Sequence, residues 1–205
     1  EMDMTALAVS IGSVAPDPRK TAVSSVNIVF SEPATHFDLS DLELTHDEGM
    51  NLLTGSEILT TSDNTSWELA GLDSLTAADG EYKLTVLTSD IEDAAGNPLQ
   101  TSVSETWRVD TQAPVLAPET VTPNPRTTPV DSLSFVFDEP VTGFEVDNLS
   151  LSRDGGGNLL GGSTSLSTSD NRTWLLEGLS AITSIEGSYE LSIDNSGIQD
   201  LAGNQ

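Results

Sequence analysis

The sequence predicts an all-β protein made of one unit written twice, and three observations carry that prediction. Displaced by 107 residues, the chain aligns with itself without a gap: 34 of the 72 positions between residues 26 and 97 are identical to their counterparts. This is tandem duplication, with one domain per copy. Apolar and polar residues alternate in short runs, as at Val26, Ile28 and Phe30, Leu42 and Leu44, or Tyr82, Leu84 and Val86, which is the period of a half-buried strand. Between the runs stand Gly, Asn, Asp, Ser and Pro, and no stretch carries a helical period.

Seven strands are expected in the first copy, near residues 5–14, 25–31, 38–45, 56–61, 65–70, 80–88 and 101–109. The second and third are separated by the turn "SEP". The fourth and fifth flank "TSDNTSW", whose Asp-Asn suits a hairpin bend. The sixth opens on "DGEYKL", the seventh carries Val103, Trp107 and Val109, and "DAAGN" connects them. Seven short antiparallel strands in about 100 residues describe an immunoglobulin-like sandwich. Tyr82, at the head of the sixth strand after Asp79 and Gly80, stands where such domains place a tyrosine corner. Leu84 takes the position of the antibody cysteine. With no cysteine in the chain and no Trp on the third strand, the pattern is not that of an antibody domain, and Trp67 and Trp174 are expected to fill the core. The domains are read as residues 1–110 and 111–205. The second copy stops at Gln205, directly after its "DLAGN", and so is expected to lack its seventh strand.

Composition narrows the function. Seven basic residues against 33 acidic ones leave a net charge of −26. That balance argues against nucleic acid and anionic membranes as partners, because affinity for both comes from Lys and Arg. Solubility, salty surroundings or cation binding remain. No run approaches the roughly 18 apolar residues of a membrane helix, and "EMDMTALAVS" lacks the basic region of a signal peptide. His36 and His46 have no counterparts in the second copy, which has Gly143 and Arg153 there. No recurring Ser-His-Asp set, phosphate loop or zinc motif appears, so no enzyme is expected. "RDGGGNLLGG", at 153–162, reads as a flexible loop, and the sequons at Asn64, Asn148 and Asn171 are common chance matches in a Ser/Thr-rich chain.

The motif that asks for chemistry is "DAAGN" at 93–97, repeated as "DLAGN" at 200–204. Resemblance helps to place it. "FSEPATHF", "DAAGN" and "WRVDTQAP", then "FDEPVTGF" and "DLAGN", look like the bacterial Ig-like (cadherin-like) tandem repeats of large secreted or cell-surface adhesins. The resemblance covers nearly the whole chain. It implies an extracellular stalk of many Ig-like domains whose partners are neighbouring repeats, often with calcium at the junctions.

Strand direction makes an independent case. If the strands alternate, the connection between the second and third, the loop between the sixth and seventh, and the incoming linker all lie at one pole. Asp3, Glu32, Asp93 and Asn97 then converge in the first copy. Asp110, Glu139, Asp200 and Asn204 converge in the second, with Asp3 and Asp110 related by the same 107-residue offset. Three carboxylates held a few ångströms apart repel unless a cation joins them. An all-oxygen set without His or Cys suits Ca2+. The plain alternative is a turn, its Asp accepting backbone N–H bonds and its Gly and Asn in left-handed conformations. A calcium-stabilised spacer in bacterial adhesion or biofilm formation is therefore the leading expectation. The alternatives are a glycan- or protein-binding module, which requires exposed aromatics on one face, and a non-catalytic accessory of a secreted enzyme.

Overall fold

The computed structural model describes residues 3–117 and 120–205. The chain divides into two compact units, Glu1–Thr111 and Gln112–Gln205. The first unit contains β1 (Val9–Ile11), β2 (Ser25–Phe30), β3 (Ala34–Thr35), β4 (Leu42–His46), β5 (Ile58–Thr61), β6 (Ser66–Ala70), β7 (Gly80–Val86), β8 (Glu92–Asp93) and β9 (Val103–Val109). One sheet has the order β1-β2-β6-β5 and another β4-β7-β9, with β3 and β8 forming a two-stranded ladder apart from both. All named pairings are antiparallel. Leaving that ladder aside and lettering the strands A to G, the sheets are ABED and CFG, the immunoglobulin constant-type arrangement.

Alternation decides what the sandwich buries. On β2, Val26, Ile28 and Phe30 point inward, and on β7 so do Tyr82, Leu84 and Val86. At roughly 1.5–3 kcal/mol for each large apolar side chain removed from water, these two strands supply a large part of the core's driving force. The tyrosine corner is formed: the Tyr82 hydroxyl donates to the Ala78 carbonyl at 3.0 Å. Trp67 packs edge-on to Phe37 at the margin of the core, their ring centroids 5.1 Å apart. The fully buried tryptophan is Trp107 on β9, stacked on Tyr82.

Three expectations change in detail. The first strand shortens to Val9–Ile11, and Asp3 folds back to accept a bond from Thr5 N–H. The third begins only at Leu42, because Asp38 and Asp41 form a capping box over a 3-10 turn at Leu39–Asp41. Trp67 and Trp174 flank the core rather than fill it.

The second unit repeats the plan with β10 (Ser132–Val136), β11 (Leu149–Arg153), β12 (Ser165–Thr168), β13 (Thr173–Glu177) and β14 (Tyr189–Ile193). Its sheets are β10-β13-β12 and β11-β14. Among the described residues, β14 pairs with β11 alone. Tyr189 and Leu191 are accordingly half-buried and Ile193 is exposed, where Tyr82, Leu84 and Val86 are buried. The glycine-rich 153–162 stretch is tied down more than its composition suggests. The Asn158 carboxamide oxygen accepts from both Leu151 N–H and Leu160 N–H, as Asn51 does for Leu44 and Leu53.

Candidate metal centre

In the first unit three segments reach one pole. The β3–β8 ladder sets Ala34 opposite Asp93 and Thr35 opposite Glu92, joining the loop after β2 to the loop after β7. The β5–β6 turn supports it, since Ala34 N–H donates to the Asn64 carbonyl at 2.8 Å. The incoming segment is stitched to the same place: Ser31 N–H donates to Ala8 O, and Ala8 N–H to Ser31 Oγ. As a result, one carboxylate oxygen from each of Asp3, Glu32 and Asp93 lies within 4.8 Å of the others.

The carboxylates differ in how they are held. Asp93 is only 2% exposed. Its Oδ1 accepts from the backbone N–H groups of Ala95 and Asn97, both at 2.8 Å, and its Oδ2 from Asn97 Nδ2 at 2.7 Å. The loop closes through Asp93 N–H to Asn97 O at 3.0 Å, and Gly96 takes a φ of +85° that side chains rarely adopt. The N–H groups and side-chain amide of Asn97 hold the Asp93 carboxyl below its usual range. Glu32 has the opposite character. Loss of water around it, then the charges of Asp3 and Asp93, push its carboxyl up. Asn97 meets the cluster through its amide nitrogen, which also lies 3.5 Å from the Asp3 carbonyl. In this arrangement it orients Asp93.

The second unit builds the same loop. Asp200, 3% exposed, accepts from Asn204 N–H at 2.8 Å and from Asn204 Nδ2 at 2.7 Å. Thr142 and Gln199 exchange backbone bonds of 2.7 and 3.0 Å, joining the segment after Glu139 to the Asp200 loop. Val141 N–H donates to Asn171 O. Asp110 belongs to the first unit, where its N–H donates to Arg19 O at 2.8 Å and its carboxylate stands 3.8 Å from Arg108.

Other sequence candidates have structural employment. Asp63 accepts from Thr65 N–H and Ser66 N–H, and Asp170 from Arg172 N–H and Thr173 N–H; these bonds hold both carboxyls low and brace the hairpin turns. His46 stacks on Tyr82, and His36 stands 3.8 Å from Glu92. No aromatic residue is among the large hydrophobic side chains exposed in the described residues.

No family model matches the chain, and no curated protein matches it. Solved structures that match include tandem immunoglobulin domains of titin. The I-band fragment I67–I69 is 14% identical over 93% of this chain and 61% of that one, with a TM-score of 0.33. The titin domains Z1Z2 in complex with telethonin are 14% identical, over 96% and 93%, also at 0.33. The Ig tandem A164–A165 is 12% identical, over 96% and 97%, at 0.30. The chain thus spans less than two thirds of the first of these. Likeness at this level carries no argument about chemistry; the assignment to tandem Ig-like β-sandwiches rests on the strand order above.

Proposed function

We propose that the chain is a calcium-stabilised structural repeat, a spacer within a large bacterial extracellular adhesion or biofilm protein. The observation that carries this reading is the meeting of Asp3, Glu32 and Asp93, drawn from three separate segments of the first unit. The donor set fits the ion. It is all hard oxygen, and a span within 4.8 Å matches two oxygens on either side of a cation at about 2.4 Å. Asp93, Glu32 and Asp3 would hold Ca2+, with Asn97 orienting Asp93. The ion would supply the positive charge that the raised Glu32 carboxyl lacks. By the 107-residue repeat, Asp110, Glu139, Asp200 and Asn204 correspond in sequence to Asp3, Glu32, Asp93 and Asn97.

Such a site would act mechanically. Its first ligand lies in the segment that enters a domain and the others in that domain's own loops, so the ion would restrain the linker and stiffen a string of repeats. Extracellular location and neighbouring repeats as partners belong to the same reading, as does a non-enzymatic role. The glycan-binding alternative gains nothing from a surface that exposes no aromatic side chain among the described residues.

The test is a thermal melt in EDTA, in about 5 mM CaCl2 and in equal MgCl2. For extracellular-module affinities of roughly 10⁻⁴–10⁻³ M, RT ln(1 + [L]/Kd) gives about 1–2 kcal/mol per site. That corresponds to a calcium-selective rise of several degrees. Three superimposable melts would make the loops plain turns.

A further inference from the structure

The four-stranded sheet of the first unit ends at β5, and among the described residues β5 pairs with β6 alone. Natural edge strands are commonly blunted by Lys, Pro or a covering segment. Ile58–Thr61 carries no charge and no Pro, and Ile58 is 59% exposed. A cleft of about 870 Å³ opens along this edge. Phe37, Leu42, Leu59 and Trp67 are among its apolar walls, and Asp38 and Glu57 among its polar ones.

The second copy separates what the fold needs here from what it does not. Displaced by 107 residues, the apolar walls persist as Phe144, Leu149, Leu166 and Trp174. The rim does not persist: Thr164 stands for Glu57 and Ser165 for Ile58. Both rims close a tight loop. The Glu57 carboxylate accepts from Thr54 Oγ1 at 3.0 Å and from Gly55 N–H at 2.9 Å, whereas Thr164 donates to Gly161 O from its N–H and its hydroxyl. A neutral residue thus suffices for the turn, and the charge of Glu57 is surplus to it. Burial pushes the Glu57 carboxyl up, but bonds from its own N–H, Thr54 and Gly55 outweigh that and keep it below its usual range. Bonds from the Ser40 hydroxyl and N–H do the same for Asp38. From residue 21 to residue 82, a stretch that holds both carboxylates, the chain has no Lys or Arg.

An unpaired edge accepts a strand through its free backbone groups, and side chains of that strand then reach the flanking pocket. Here the pocket calls for an apolar group against Phe37 and Trp67 and a cation beside Asp38 and Glu57. A second copy of this chain is poorly suited, because it brings a net charge of −26. We propose that the cleft is a docking groove for an extended basic segment of another protein, which adds as a strand along β5 and sets a Lys or Arg beside Glu57. This goes beyond the spacer reading and does not depend on calcium.

The experiment uses the full 205-residue chain in EDTA, with 15N-detected shifts followed during titration with the peptide Thr-Lys-Thr-Val-Thr-Lys-Thr. Shifts should move saturably at residues 37–39, 53–55 and 57–61, and stay still at β12, the counterpart of β5. The same peptide with Glu for Lys should not bind, nor should the Lys peptide with its backbone amides N-methylated. Glu57→Gln should weaken binding about five-fold, the scale of one ion pair. Ile58→Ser, which installs the residue of the second copy, should weaken it too while leaving the near-ultraviolet tryptophan signal unchanged. That second variant keeps the test valid if Glu57→Gln loosens the loop. No movement at β5 with millimolar peptide overturns the proposal, as does equal movement at β12 or movement scattered over the acidic surface. Binding that survives N-methylation overturns strand addition. Shifts at β5 that depend on protein concentration without peptide assign the edge to a second copy instead.

Discussion

Replacing Asp93 by Ala tests how the loop between β7 and β9 is held, and the structure sets the size of the effect. The carboxylate accepts from Ala95 N–H, Asn97 N–H and Asn97 Nδ2, all within 2.8 Å, and is almost wholly buried. Truncation leaves three donors without their acceptor. A buried unsatisfied group costs about 1–3 kcal/mol. Ala95 and Gly96 are exposed, so water reaches part of the loop and the three penalties do not add in full. Loss of one negative charge beside Glu32 and Asp3 offsets a little more. A net loss of about 2 kcal/mol in EDTA follows, which for a unit of this size lowers the melting temperature by roughly 8–16 °C. Calorimetry in EDTA reads it directly. The pH dependence provides a second check. Bonds to the ionised form hold the Asp93 carboxyl low, so its contribution is present above the unfolded carboxyl value of about 3.9 and is lost as pH falls through the folded value. The gap between wild type and Asp93→Ala should therefore be constant near neutrality and close in acid. A melt within a degree or two of wild type at neutral pH would sink the reasoning, because the loop would then be held by something other than Asp93.

Glu32→Gln should have the opposite sign. A carboxyl pushed up in the folded state contributes stability below its unfolded value and loses it as pH rises through the folded one; at neutral pH the ionised group therefore opposes folding. The variant should melt higher than wild type in EDTA yet gain less from calcium, and a lower melt in EDTA would refute the repulsion inferred at the cluster. The calcium gain of the wild type should also shrink as acid protonates Glu32, which melts at a series of pH values would show. In the core, Leu84→Ala should cost about 2–5 kcal/mol, since Leu84 is fully buried. Leu191→Ala, at the equivalent half-buried position, should cost distinctly less by chemical denaturation.

The larger plan was legible because period-2 alternation and the duplication are both properties of the bare sequence. Strand direction alone places the β2–β4 and β7–β9 connections at one pole, and the structure puts Glu32 beside Asp93 there. What the alternation could not show is the device that seals this convergence. The β3–β8 ladder is two residues on each side, Ala34–Thr35 and Glu92–Asp93, too short and too polar to have a period. Strand β4 starts later than the alternation implies for a related reason: Asp38 and Asp41 bond to local backbone in preference to extending the strand. Asn51 and Asn158 sit in stretches that read as loose loops, and their long-range bonds to Leu44 and Leu151 emerge only in three dimensions. The role of Asn97 was equally opaque. A carboxamide can face a carboxylate or a cation with different atoms, and only its neighbours decide which.

The contrast between Asp93 and Glu32 bears on how a cation would be taken up. Asp93 is organised without one: three donors fix its carboxylate and keep it ionised. Glu32 has the reverse preference, its charge opposed first by loss of water and then by the two carboxylates it faces. Asp3 is exposed and held through an Oδ1 bond to Thr5 N–H within the incoming segment. On the calcium reading, Asp93 is the fixed donor, Glu32 the donor that gains most from the arriving charge, and Asp3 the donor that ties the segment to the loops. A site arranged in this way couples the ion to the chain's direction rather than to the integrity of the sandwich, whose core lies in β2, β4, β6, β7 and β9. The consequence is separable in the laboratory: chelation should loosen the segment around Asp3 and leave the packing of Trp107 and Leu84 intact. Loss of the core signal together with the order of Asp3 would mean that the ion holds the fold itself, and the spacer mechanism would have to be abandoned.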